Sequence, residues 1–115
     1  MKYIKKFETN NKPEIGDYVI LNYNNMGMNV NNFLNNTIGE VAWISETKTW
    51  YSIRYPKNII PKNLDGFFGN IKNSNVKNVN DMLIYDYDIN INDILEYSHT
   101  KEELELKLAS NKYNL

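Results

Sequence analysis

Few residues in this chain have the type and spacing that chemistry needs. Asp86, Asp88 and Asn90 stand at alternate positions, as at the opening of a calcium loop. Such a loop needs glycine at its sixth position for the turn and a bidentate glutamate at its twelfth. This sequence has Ile91 and Tyr97 there, so a strand with one wet face explains the alternation better. The single histidine, His99, and the absence of cysteine exclude a two-histidine metal site on one chain and any thiolate chemistry. A catalytic histidine needs a nucleophile and an orienting acid. His99 lies beside Ser98 just before a helix start, which is a surface position. The acid pairs Asp86/Asp88 and Glu102/Glu103 could act as general acid and base, but no pocket motif accompanies them. Gly66-Phe67-Phe68-Gly69 lacks the lysine and hydroxyl of a phosphate loop and the glycine spacing of a dinucleotide site. The reading is a protein that is not an enzyme, with no catalytic residue, metal or cofactor.

The aromatic residues carry more information. Trp43, Trp50, Tyr51 and Tyr55 fall on one expected hairpin. Tyr51, Ile53 and Tyr55 alternate with Trp50, Ser52 and Arg54, so the first set should face the core and the second solvent. An exposed Trp with an Arg two residues on has the composition of an interface hot spot; it could also stack a base. Cover from the lead-in or the C-terminal helix would instead make Trp50 core. The segment 24–36 holds seven asparagines in thirteen residues. Its amides can donate and accept, and Met26 and Met28 have soft, adaptable side chains. The candidate partner-binding residues are therefore Met26, Met28, Asn29, Trp50 and Arg54, with Asp86 and Asp88 as a second surface for a basic partner.

These residues need elements to hold them. At 115 residues the chain is one domain's length. Residues 1–13 read as a lead-in ended by Pro13. Residues 14–97 read as a β-barrel and 100–111 as a C-terminal helix. Gly16-Asp17 is a turn into a strand at Tyr18-Val19-Ile20-Leu21-Asn22-Tyr23, with Val19, Leu21 and Tyr23 on one face and Tyr18 and Ile20 on the other. Both faces are largely apolar, so one should meet the core and the other a tail or loop. Val30, Phe33 and Leu34 have the spacing of one helical turn inside a long loop. Strands follow at 37–45 and 50–55, joined by a short polar loop. Leu83, Tyr85, Tyr87, Ile89 and Ile91 alternate with polar residues as one strand or two with a bend, and Ile94, Leu95 and Tyr97 extend the sheet. Thr100-Lys101-Glu102-Glu103 matches a capping box. Leu104, Leu106, Leu108 and Ala109 should supply that helix's apolar contacts.

Composition bears on source and partner. There are 21 asparagines and no glutamine, 12 lysines and one arginine, and 13 isoleucines to two alanines. This is the codon bias of an AT-rich genome, that of a bacterium, its phages or a large virus. The net charge of −1 hides a balance of +4 over residues 1–80 and −5 over 81–115. Chain-wide nucleic-acid affinity does not follow, because it scales with clustered positive charge. No apolar run nears the ~20 residues of a membrane helix. The first eight residues lack a signal peptide's apolar segment and cleavage site.

Ile15-Gly16-Asp17-Tyr18-Val19-Ile20, Ile38-Gly39-Glu40-Val41 and Trp50-Tyr51-Ser52-Ile53-Arg54-Tyr55, in this order, resemble small SH3-like β-barrels of the KOW and Tudor-like kind. The match covers about residues 14–56. Lys6-Phe7-Glu8, the Ile-Gly-Glu-Val strand and Tyr97-Ser98-His99-Thr100-Lys101-Glu102-Glu103-Leu104-Glu105 also resemble small proteins of AT-rich tailed phages. The resemblance implies a mainly β fold, an SH3-like small barrel with a C-terminal helix. It also implies a phage-encoded protein-binding module in the host cytoplasm, whose partner is a host or phage protein and which acts as an inhibitor of host machinery or host defence. The alternatives are a KOW-like nucleic-acid-associated protein and a structural phage component.

Overall fold

The computed structural model describes residues 12–70 and 81–113. The lead-in up to residue 11 and the turn-rich stretch 72–75 lie outside the described residues. Seven strands form one antiparallel sheet: β1 (Tyr18–Leu21), β2 (Gly39–Ile44), β3 (Trp50–Pro56), β4 (Phe68–Asn70), β5 (Met82–Tyr85), β6 (Ile89–Asn90) and β7 (Ile94–Ser98). Helix α1 spans Met28–Asn35 and α2 spans Lys101–Tyr113. The order across the sheet is β4-β5-β3-β2-β1-β7, with β6 also paired to β3. The protein is mainly β with a C-terminal helix.

The sheet is open, which corrects the expectation of a closed barrel. Among the described residues the end strands β4 and β7 do not pair with each other. A barrel needs strands long enough to carry the sheet round on itself, and β4 contributes three residues.

One face of the sheet holds the core. Val19 and Leu21 from β1, Val41 from β2, Tyr51, Ile53 and Tyr55 from β3 and Tyr85 from β5 are buried in it, with Val30 and Leu34 of α1 laid over them. Phe33 adds ring contacts to Tyr55 and Phe68, with centroids 5.6 and 5.8 Å apart. The expected single helical turn is thus a two-turn helix, since burial of Val30 and Leu34 offsets the poor helix propensity of asparagine.

The other face of β1 is covered as its double apolar pattern required. Ile20 and Leu104 are both buried yet stand apart from the main core, where α2 packs across β1 and β7. Lys107 fixes α2 to β7 through Glu96 at 3.3 Å. Among the described residues of α2 Leu104 is the buried one, whereas Leu106 and Ala109, also expected to make apolar contacts, are exposed. The expected capping box is replaced: the Thr100 N–H donates to Ser98 Oγ at 3.1 Å, and Glu103 bonds Ser98 Oγ instead of reaching the Thr100 backbone. A capping box does form at Asn90–Asp93, where Asn90 Oδ1 accepts from the Asn92 N–H and Asp93 accepts from the Asn90 N–H.

The chain enters β1 through a turn that needs Gly16, whose φ is +94°. Its N–H donates to Val41 O at 2.9 Å, and the Val41 N–H donates to Asp17 O at 2.8 Å. Prolines 56 and 61 each precede a 3-10 turn, at Lys57–Ile59 and Lys62–Phe67.

The core tyrosines Tyr51 and Tyr55 carry hydroxyls with no hydrogen-bond partner among the described residues. Burial pushes the Tyr51 phenol up to about 12 and raises that of Tyr55 further. A buried polar group left unpaired costs about 1–3 kcal/mol. Tyr55→Phe keeps the ring and removes the orphan, so its thermal melt should match or exceed the wild type. A lower melting temperature would mean that a bound water satisfies the hydroxyl.

Candidate functional site

The β2–β3 hairpin sets out the face away from the core. Its loop, 45–49, is tied by Ser45 Oγ, which accepts from the N–H groups of Thr49 and Trp50 at 3.2 and 3.1 Å. Lys48 turns the chain at φ 60°. The pairing runs Glu40 with Arg54 and Val41 with Ile53, then shifts so that Trp43 meets Ser52 and Ile44 meets Tyr51. Ala42 is the extra residue of this bulge. Strict alternation would put Trp43 with Val41 on the core side. The bulge instead moves Trp43 to the outer face and turns Ile44 inward against the core.

Trp43 and Trp50 therefore share the outer face, 48% and 43% exposed. Trp50 is not buried beneath α2, which lies over β1 and β7. Arg54 occupies the same face, but not as the free charge expected there. Its Nε and Nη2 donate to the two Glu40 oxygens at 3.2 and 2.8 Å. This fork-to-fork pair is partly covered, uses two of the guanidinium's five N–H donors and offsets its charge.

Next to it, β5 pairs Ile84 with Arg54, and β4 pairs Gly69 with Ile84. Asp86 folds its carboxylate over Gly69, in space that a side chain at 69 would fill. Between the Arg54–Ile84 and Trp50–Asn90 pairs, five residues run opposite three of β3. The surplus, around Asp86-Tyr87-Asp88, stands off the sheet beside Ser52, and both aspartates are exposed. The outer face thus combines two aromatic platforms, a neutralised arginine and a carboxylate.

The 24–36 candidates lie elsewhere. Because α1 covers the core side, Met28 (76% exposed) and the exposed Asn29 stand across the sheet from Trp50. Met26 is partly buried against the core. Two asparagines of this segment are engaged within the fold. Asn31 accepts from the Met26 N–H at 3.2 Å and donates to Met26 O at 2.7 Å. Asn35 does the same to Tyr23, at 2.6 and 2.8 Å. Each amide binds the loop backbone as a neighbouring strand would. Asn35→Ala strands both Tyr23 groups and should lower stability by about 1–3 kcal/mol, read as a lower urea midpoint at unchanged slope.

Sequence reading put Trp50 and Arg54 on one face but left Trp43 and Ile84 out of the candidate set. The available signal was the unbroken apolar run Val41-Ala42-Trp43-Ile44 in an otherwise alternating strand, which a bulge resolves.

Comparison with protein families, curated proteins and solved structures finds no match to this chain.

Proposed function

We propose that the chain is a non-enzymatic protein-binding module whose partner docks on the outer face of β2, β3 and β5. The observation that carries this reading is the pair of half-exposed tryptophans, Trp43 and Trp50, held on one sheet face by a bulge. Tryptophan is among the residues most enriched at interface hot spots, and grouped exposed apolar residues mark interaction sites. Charge favours protein over nucleic acid. Base stacking on Trp43 and Trp50 would need cations along the phosphate track. Here Arg54 is taken by Glu40 and Asp86 adds negative charge. A partner with apolar and basic groups suits this face.

Two further parts of the reading rest on the sequence. The strand order, with β7 returning beside β1 ahead of the β2–β3 hairpin, is compatible with an opened SH3-like sheet. The codon bias and phage-like segments make a host protein the first partner to seek, with inhibition in the host cytoplasm as the role. A structural phage component would instead self-associate at low concentration.

The test is capture from a bacterial lysate by immobilised wild type and by a Trp43→Ser/Trp50→Ser double variant whose fold is checked by circular dichroism. A protein retained by the wild type after nuclease treatment and lost by the folded double variant is the expected result. Retention that nuclease abolishes would transfer the reading to nucleic acid.

A further inference from the structure

Asp17 is the one charged side chain buried among the described residues, 4% exposed at the entry to β1. Its Oδ2 accepts from the Glu14 N–H at 2.9 Å, and its Oδ1 meets His99 Nδ1. His99 lies in the two-residue link between β7 and α2. Its side chain is 78% exposed, so the rest of the ring exchanges protons freely with solvent. We propose that this pair is a pH-sensitive latch: an imidazolium against the buried carboxylate holds the start of α2 to the start of β1, and holds it less tightly once the ring is neutral.

The carboxylates around the ring favour its charged form. The turn before β1 supplies Glu14 as well as Asp17, α2 supplies Glu103, and β7 supplies the Tyr97 phenol, whose own ionisation burial and Asp17 oppose. From β2, the contact to Asp17 is the uncharged Val41 N–H. Of the bases on these elements, Lys107 is engaged by Glu96, while Lys12 precedes the turn and Lys101 stands exposed at the start of α2, two residues after His99. The hydrogen bond and charge of Asp17 raise the His99 pKa; burial opposes them, and Glu14 and Glu103 add smaller upward effects. A neutral ring protonated at Nδ1 keeps the hydrogen bond but loses the charge.

The sign follows from linkage. With the latched pKa above the ordinary value of about 6.5, the latch is at full strength below that pH. It weakens as pH rises through the raised value and is constant beyond it. Helix α2, which covers Ile20, is held most firmly in weak acid.

His99 is the only histidine, so its Cε1–H resonance reports the ring directly. The wild-type midpoint should lie above about 6.5 and return toward it in Asp17→Asn. Hydrogen exchange of α2 amides, corrected for intrinsic rates, should show protection falling between about pH 5.5 and about pH 8.5. The loss should reach up to about tenfold for each unit separating the two midpoints. In His99→Gln that dependence should vanish. A wild-type midpoint at or below about 6.5, α2 protection flat with pH, or an equal dependence in His99→Gln would each overturn the latch. If Asp17→Asn does not fold, the His99→Gln comparison decides alone.

Discussion

Gly39→Val should lower the melting temperature by roughly 10 °C or more, at about 4 °C for each kcal/mol in a domain of this size. Gly39 opens β2, pairs with Val19 of β1 and lies beneath the Tyr55 ring. A Cβ there would come 2.7 Å from Tyr55 Cζ and closer still to Ile53 Cγ2. Both neighbours are fully buried and flanked by other core side chains, so neither can swing into solvent. Valine's strand preference contributes at most about 1 kcal/mol. Forcing extra carbons into a packed core costs about 1–3 kcal/mol, and more when the surroundings cannot give. The clash should therefore win, and Gly39→Ala should show a smaller loss of the same sign. A melting curve unchanged by valine would mean that β2 approaches β3 differently from the contacts described.

Trp50→Ala and Trp43→Ala should each weaken the partner complex by about 30-fold, or about 2 kcal/mol, the scale of a central interface tryptophan. Both side chains stand on the outer face and neither belongs to the main core, so the melting temperature should change by only a few degrees. Titration of the captured partner against each variant measures the first effect, and thermal melting the second. Arg54→Ala separates the roles. Its removal leaves Glu40 without its partner, so stability should suffer more than affinity. Full affinity in both folded tryptophan variants would remove the outer face from consideration. Unfolding of either would assign that tryptophan to the core.

Where local pattern and tertiary demand coincide, the fold is legible in the chain. Val19 and Leu21 against Tyr18 and Ile20, Tyr51-Ile53-Tyr55 against Trp50-Ser52-Arg54, and the Gly16-Asp17 turn all follow from a period of two and simple turn chemistry. The outer face was only half legible, because two irregularities govern it. The bulge at Ala42 reverses the direction of Trp43, and the surplus residues around Tyr87 carry the acidic pair off the strand. The bulge shows in the sequence only as the unbroken apolar run 41–44, whose resolution is selected by packing on both sides of the sheet. Sheet closure was also beyond the pattern, which gives the faces of strands but not whether the outermost two meet. The link of Asp17 to His99 spans 82 residues, a separation at which no spacing rule operates. The asparagines misled in the opposite direction. Their abundance reads as codon bias, yet Asn31 and Asn35 occupy consecutive turns of α1 and perform structural work that composition hides.

That arrangement ties the lifetime of the fold to covalent chemistry. Asparagine is among the residues that heat and time degrade first, by loss of its amide nitrogen. At Asn35 the nitrogen at risk is the atom that donates to Tyr23 O at 2.8 Å. Deamidation would place a carboxylate oxygen against a carbonyl oxygen, turning an attraction into a repulsion within a half-buried loop anchor. The helix that holds Asn35 rigid also keeps its side chain engaged, so as long as the clasp is closed the protein guards the bond on which it depends. Each thermal opening of α1 exposes that bond to hydrolysis, and every chain that ages there closes less well afterwards. Storage damage that reaches Asn35 should therefore loosen the loop around Tyr23.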